Sequence, residues 1–162
     1  MKSPIQLSRI LSLLLTGLIA GTFFYGTFCV LPTFYEVSTE THFRFRTALM
    51  NHNKVIVMAL VLIDVVVLTI YAWQARDAKM ATLFVYSALF LTIISLVVTR
   101  LGSVPINLII KTWNPSAPPA DWMKTLATWD LYNLARTMMS ILSFICLLLA
   151  DLWIVKYLQG KS

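Results

Sequence analysis

The sequence predicts an all-α fold, a four-helix transmembrane bundle with a long structured connector between helices 3 and 4. Of its 162 residues, 59% are hydrophobic and only 12% are charged, which is too apolar for a soluble domain of this size. Four apolar stretches are long enough to cross a hydrocarbon core about 30 Å thick, which needs roughly 20 residues per helix. We therefore expect residues 1–162 to form a single integral membrane domain.

The four predicted helices cover residues 10–31, 55–73, 81–98 and 134–157. Lys2 and Arg9 precede the first apolar stretch, as in a signal peptide. That stretch is longer than the usual apolar region of a signal peptide, however, and Phe28, Cys29 and Val30 make a poor cleavage site. Helix 1 is therefore expected to be retained.

Small and polar side chains recur at helical spacing, and these stripes are expected to face the interior of the bundle. The stripes are Gly17, Gly21, Thr22 and Gly26 in helix 1, Ala88, Thr92, Ser95 and Thr99 in helix 3, and Asn133, Arg136, Ser140, Ser143, Leu147 and Asp151 in helix 4. Close helix contact of this kind is the main source of association in lipid, where apolar surface alone gives little preference.

The distribution of basic residues favours both termini in the cytoplasm. Six lie in short tails and in the tight turn near residues 73–79, where the positive-inside rule has most weight, and seven are spread over longer loops. We expect a protein of a bacterial inner membrane, surrounded by the lipid bilayer. The net charge of +6 indicates anchoring at the membrane surface and no nucleic-acid partner, because no basic run alternates with aromatic residues.

The connector before helix 4 is expected to be ordered, because long loops without structure are uncommon. Residues 104–110 are apolar and are predicted to dip back toward the membrane. From Pro119 onward the pattern becomes helical, so helix 4 is expected to begin outside the bilayer. Its polar face would then carry Trp122, Leu126, Trp129, Asn133 and Arg136.

Three stretches carry a resemblance to a known family: TGLIAGTFFYGTFCVLP at 16–32, RTALMNHNKV at 46–55, and the set VPIN, PSAPPADW and WDLYNLART between 104 and 137. In these the chain resembles the anthrone oxygenase-like family of small four-helix membrane proteins. Characterised fungal relatives oxidise anthrones to anthraquinones with molecular oxygen and no evident organic cofactor. The resemblance implies a membrane-embedded monooxygenase acting without a cofactor on an anthrone-like or other hydrophobic substrate, with molecular oxygen as co-substrate. Some bacterial relatives carry a histidine near positions 132 and 133, where this chain has Tyr132 and Asn133.

Such a reaction needs a base, cations or donors that stabilise an enolate, and an apolar pocket that admits oxygen. The predicted catalytic residues are His52 as the base, Arg100 and Arg136 as the stabilising cations, and Asp130 as an orienting group. The predicted substrate-binding residues are Asn107, Trp113, Trp122, Trp129, Asn133 and Glu36. The same side chains could instead serve only to tie the outer loops together. His42 is assigned to a polar loop without a catalytic role.

The sequence favours no metal or haem cofactor. His42 and His52 are ten residues apart, so one helix face does not present both to the same ion. Cys29 and Cys146 lie at different depths and are interpreted as packing residues.

Asp64 supports an alternative function, because an ionisable group near the centre of a membrane helix costs about 3 kcal/mol. It should face the interior and be protonated or paired, for example through a serine or threonine of a neighbouring helix. With Asp151 it would suit a proton-coupled transporter or relay. A third hypothesis is a non-catalytic protein that binds a lipid, a quinone or a partner subunit, and the sequence is also compatible with a homo-oligomer.

Overall fold

A computed structural model describes residues 4–160 and confirms the predicted all-α bundle. Its helices are α1 (Pro4–Tyr25), α2 (Leu31–Phe34), α3 (Thr39–Gln74), α4 (Lys79–Val98), α5 (Val104–Ile110) and α6 (Trp122–Gln159). Among these described residues, four helical spans are long and apolar enough to cross a membrane. They are Pro4–Phe34, Thr39–Gln74, Lys79–Ile110 and Trp122–Gln159.

The bundle has two distinct ends. The terminal end holds both ends of the described chain and the turn at residues 75–78, and the connector end holds the segments 35–38 and 111–121. α6 packs against α4 and α1, and α3 packs against the same two helices. The four spans therefore enclose one interior that runs between the two ends.

α3 is much longer than predicted, since it begins at Thr39 and not near residue 55. The Ser38 side chain accepts the backbone N–H of Thr41 and caps its start. The predicted start at residue 55 follows the apolar stretch alone. The polar residues 39–54 precede that stretch and belong to the same helix. With 36 residues, α3 is about 54 Å long. α6 has 38 residues and begins at Trp122, outside its apolar stretch, as predicted.

Two π-helical turns, Gly26–Val30 and Thr99–Ser103, interrupt the first and third spans near the connector end. A proline lies two residues after the end of each turn: Pro32 after the first and Pro105 after the second. A proline inside a helix lacks the N–H donor and crowds the preceding turn, and a wider turn just before it accommodates both defects. The third span therefore continues as α5 through Ile110, and residues 104–110 extend this helix where a dip toward the membrane was predicted.

The polar stripes of α4 and α6 face each other inside the bundle, as predicted. The hydroxyls of Thr92 and Ser143 are 3.0 Å apart, and those of Ser95 and Ser140 are 3.4 Å apart. Ser143 also donates to the backbone carbonyl of Ala88 at 2.9 Å. These contacts fix how far α4 and α6 can slide along each other.

The stripe predicted for helix 1 is correct only in part: Gly17 lies against the Phe144 ring of α6, but Gly21 and Thr22 do not face the interior. Gly21 and Thr22 are exposed, and the glycines line an open apolar groove against Phe144. The buried face of α1 instead carries Ser8, Ser12 and Thr16. Ser8 and Thr16 hydrogen-bond to α3 from this face, to Gln74 and Asp64, whereas glycine has no side chain that requires burial.

Asp64 lies fully buried between α3 and α1, as expected from its charge. The Thr16 hydroxyl donates to its carboxyl group, with distances of 2.9 and 3.1 Å to the two oxygens. A threonine of a neighbouring helix is therefore its partner.

Candidate functional site

Charged and aromatic side chains converge at the connector end, where α2, α3 and α6 meet. We call this group the Arg46 cluster, and it consists of Phe34, Tyr35, His42, Arg46, Trp129 and Asp130. Most of it is buried, although Tyr35 is half exposed. The charged and ring groups within it determine what the site can bind.

Arg46 is the centre of the cluster and is only 1% exposed. Its guanidinium carbon lies 4.6 Å from the ring centroid of Trp129 and 5.1 Å from that of Phe34, so the cation sits against two aromatic faces. Its Nη2 atom is 3.7 Å from Asp130 Oδ1, which makes an ion pair but is too long for a hydrogen bond. Among residues 4–160, none of its three nitrogens has a hydrogen-bond acceptor. Its planar fork of buried donors is thus unpaired in the described part of the chain, which is the arrangement that an oxygen ligand would satisfy.

Tyr35 fixes the carboxyl group that faces Arg46. Its hydroxyl donates to Asp130 Oδ2 at 2.6 Å, while the other oxygen of Asp130 points to Arg46. Burial, together with the hydrogen bond to Asp130, raises the pKa of Tyr35 to about 12. Tyr35 therefore keeps its proton at neutral pH and remains a donor to Asp130.

His42 lies one helical turn before Arg46 on the same face of α3 and is 2% exposed. Its ring is nearly parallel to those of Phe34 and Phe43, with centroids 5.2 Å away in both cases, and Tyr35 meets it edge-on. The Nε2 atom of His42 has no hydrogen-bond partner within the described part of the chain. An imidazole with a free nitrogen beside a cation can exchange a proton with a bound ligand.

Several predicted substrate-binding residues do surround the cluster. Trp129 donates its indole N–H to Asn107 Oδ1 at 2.6 Å, which holds the ring against Arg46. Trp113 and Trp122 both meet Phe43 edge-on, at 5.3 and 5.4 Å between centroids. Asn107 and the three tryptophans therefore build the aromatic wall of the site.

Arg136 and Asn133 lie further along α6, next to this wall. The Arg136 guanidinium carbon is 4.4 Å from the ring centroid of Phe23 on α1. Asn133 is buried, and its side-chain oxygen has no partner among residues 4–160. These two residues extend the polar face of α6 toward α1, separate from the contacts of Arg46.

The structure does not bring His52, Arg100 or Glu36 into the cluster, because all three side chains are exposed. His52 was expected at the start of helix 2, but it lies within α3, nearly three turns beyond His42. The histidine assigned to a loop is therefore the buried one. The helix start at Ser38 and the spacing of four between His42 and Arg46 are the sequence signals that could have revealed it.

The described residues contain no group of three or more His, Cys, Asp or Glu side chains placed to hold a metal ion. Cys29 and Cys146 are free thiols. What the cluster offers a ligand is a guanidinium, an imidazole and aromatic faces.

A family model described as anthrone oxygenase matches residues 45–146, which is more than half of the chain. The matched region contains Arg46, Asn107, Trp129 and Asp130, while Tyr35 and His42 precede it. No curated protein and no solved structure matches the chain.

Proposed function

The chain belongs to the anthrone oxygenase family, and from this membership we propose that the Arg46 cluster is the site of a membrane-embedded oxygenase for flat aromatic substrates. The observation that carries the proposal is the buried Arg46 guanidinium, which lies between two aromatic rings and has no hydrogen-bond acceptor. A substrate that becomes an oxyanion would supply the missing acceptor.

The chemistry of the cluster suits a planar substrate with one polar oxygen. The rings of Phe34, Phe43 and Trp129 pack around Arg46 and His42, so a flat substrate held beside these two groups would lie among aromatic side chains. Arg46 offers donors that strengthen as negative charge develops on the ligand oxygen, which stabilises a transition state more than a neutral ground state. Asp130 offsets the charge of Arg46 while the site is empty of substrate.

In the proposed reaction, His42 removes a proton from the ring carbon opposite the carbonyl group of the substrate. The electron pair moves onto the carbonyl oxygen, and Arg46 binds the resulting oxyanion. Molecular oxygen then takes electrons from the ring carbon and forms a carbon–oxygen bond, and the imidazolium returns its proton to give a hydroperoxide. Loss of water from the hydroperoxide leaves a second carbonyl group. The balance is CH2 + O2 → C=O + H2O, so no external electron donor is needed.

A substrate would reach the cluster by moving the outer aromatic side chains. Trp113 and Trp122 are only partly buried, whereas the residues beneath them, including Phe43 and Leu126, are fully buried. These two tryptophans border the connector 111–121 and cover Phe43. They also keep bulk water from the reacting carbanion in the closed arrangement.

The test measures oxygen consumption and anthraquinone formation by the purified protein in detergent with anthrone as the substrate. Arg46→Lys keeps the charge but loses the planar fork of donors. We expect it to lower kcat/KM by about tenfold or more, as the loss of one strong transition-state contact would. Arg44→Lys is the matched control, because Arg44 is two residues away on α3, is exposed, and forms its ion pair with Glu40 on the outer face of the same helix.

Equal effects of the two lysine variants would contradict the assignment to Arg46. If the protein did not raise oxygen consumption above the protein-free rate, yet anthrone quenched its tryptophan fluorescence in an Arg46-dependent way, the site would be a binding site without catalysis. Oxygen consumption that persists in detergent, where no gradient exists, separates the oxygenase from a transporter.

A further inference from the structure

A second polar region lies in the other half of the bundle, between α1 and α3. Ser8, Ser12 and Thr16 follow each other at intervals of four residues on the buried face of α1. Ser8 donates to Gln74 at 2.7 Å, and Thr16 donates to Asp64 at 2.9 Å. Because the two helices run in opposite directions, this register puts Ser12 level with the turn of α3 that contains Tyr71.

Two hydroxyls in this region are buried without a partner. Ser12 is 0% exposed and Tyr71 is 1% exposed, and neither side-chain oxygen has a hydrogen-bond partner among residues 4–160. A buried hydroxyl without a partner is costly, and internal water molecules are the usual way in which such groups are satisfied. Ser12 and Tyr71 lie on the two helices that face each other here, in the stretch between the Ser8–Gln74 and Thr16–Asp64 contacts.

We propose that Asp64 is a proton-binding site that exchanges its proton with the solution at the terminal end, through water molecules held by Ser12 and Tyr71. We call Ser8, Ser12, Thr16 and Tyr71 the hydroxyl file. Ser8 and Thr16 are eight positions apart on α1, which corresponds to about 12 Å along the helix. Water molecules linking hydroxyls over this distance would carry protons to a group that is itself fully buried.

The hydroxyl file ends at a charged pair that is partly exposed. Arg9 Nε and Asp151 Oδ1 are 2.7 Å apart, and their side chains are 25% and 28% exposed. The Tyr71 hydroxyl lies within electrostatic reach of both. The proton route therefore opens at two partly exposed charged groups, at the end that also holds both ends of the described chain.

α4 contributes Val85 and Ala88 to the core that contains Tyr71, and α6 contributes Leu147. Among the described residues, the titratable groups along the file are Tyr71, Arg9 and Asp151, and Thr16 is the direct partner of Asp64. Two further titratable side chains of α6, Cys146 and Tyr157, pack against the same core. The oxygenase reaction proposed above releases no net proton, so this site serves a process separate from the Arg46 cluster.

The test uses infrared spectroscopy of the purified protein. A protonated buried carboxyl gives a C=O stretching band, which Asp64→Asn should remove. After transfer to heavy water, this band shifts as deuterium replaces the Asp64 proton. The rate of the shift measures the rate of proton exchange. We expect Ser12→Ala and Tyr71→Phe to slow that exchange by about tenfold or more, because each removes a group that holds water in the file.

Ser143→Ala is the matched control, since Ser143 is an equally buried hydroxyl that bonds α6 to α4, away from the file. It should leave the exchange rate unchanged. Both file variants keep the packing of the parent side chain, and their melting temperatures report whether they are folded. The proposal fails if no pH gives a carboxyl band that depends on Asp64, or if neither file variant slows the exchange. Loss of the band on adding sodium at constant pH would show a cation site in its place.

Discussion

The geometry of single residues separates Arg46 from its near neighbour Arg44. Arg44 and Arg46 are two positions apart on α3, yet one is exposed and paired with Glu40, and the other is buried between two rings. A helix turns about 100° per residue, so a shift of two positions moves a side chain to the opposite face. Arg46 keeps its charge in the interior because Asp130 and the two aromatic faces stabilise it.

The two histidines give a direct test at this scale. His42→Gln should lower kcat for anthrone oxidation by about a hundredfold, because a glutamine amide does not accept the proton. His52→Gln should stay close to the wild-type rate, since His52 is exposed on the outer face of α3. Steady-state oxygen consumption across the two variants measures both. A larger loss in His52→Gln would return the role of base to His52.

Sequence reasoning found part of this site. Asn107, Trp129 and Asp130 are identifiable because they stand out as polar or aromatic residues in a connector between apolar spans. His42 and Arg46 are not identifiable in the same way, because polar residues at the end of a span also occur in loops. Only the helical register of residues 39–54 shows that His42 and Arg46 point inward and His52 points outward.

At the scale of the elements, the π-helical turn at Thr99–Ser103 lets the third span pack closely against α6. Gly102 lies under the ring of Tyr132, and a Cβ atom added there would be 2.5 Å from Tyr132 Cδ1. The absence of a side chain at this position lets the two helices approach. Asn107, one turn and a half further on, can then reach Trp129.

Gly102→Ala should therefore destabilise the bundle, by about 1–3 kcal/mol for an overpacked contact. Gly21→Ala is the control, because nothing lies within 4 Å of the added Cβ and alanine favours a helix more than glycine does. Thermal melting in detergent should show a lower Tm for the first variant and an equal or higher Tm for the second. A second change, Tyr132→Ala, should restore much of the Tm lost in Gly102→Ala. Unchanged melting of Gly102→Ala would mean that Tyr132 moves away at no cost.

At the scale of the whole molecule, four spans place both ends of the described chain on one side of the membrane. Hydropathy was enough to predict the number of spans and their order. It did not predict their true lengths, because the helices continue into residues that are polar but still packed. Nor does apolar content say which side faces the cytoplasm.

The distribution of basic residues leads us to expect both termini in the cytoplasm. In intact cells, a membrane-impermeant maleimide should then label Ser116→Cys in the connector and leave Asp77→Cys in the turn at 75–78 unlabelled. Both positions are exposed. Cys29 is exposed as well, so Cys29→Ser is the background for the two variants. The reverse labelling pattern would invert the proposed topology.

The length of α3 and α6 decides where a ligand meets this protein. At about 54 and 57 Å, both helices are nearly twice as long as the hydrocarbon core is thick. Their polar parts, residues 39–54 and 122–133, extend past the same end and carry the Arg46 cluster. We therefore expect the cluster to lie at the level of the lipid headgroups, where flat amphipathic molecules accumulate. A hydroxylated aromatic compound held in that layer can reach Arg46 sideways, without crossing the acyl chains or entering bulk water.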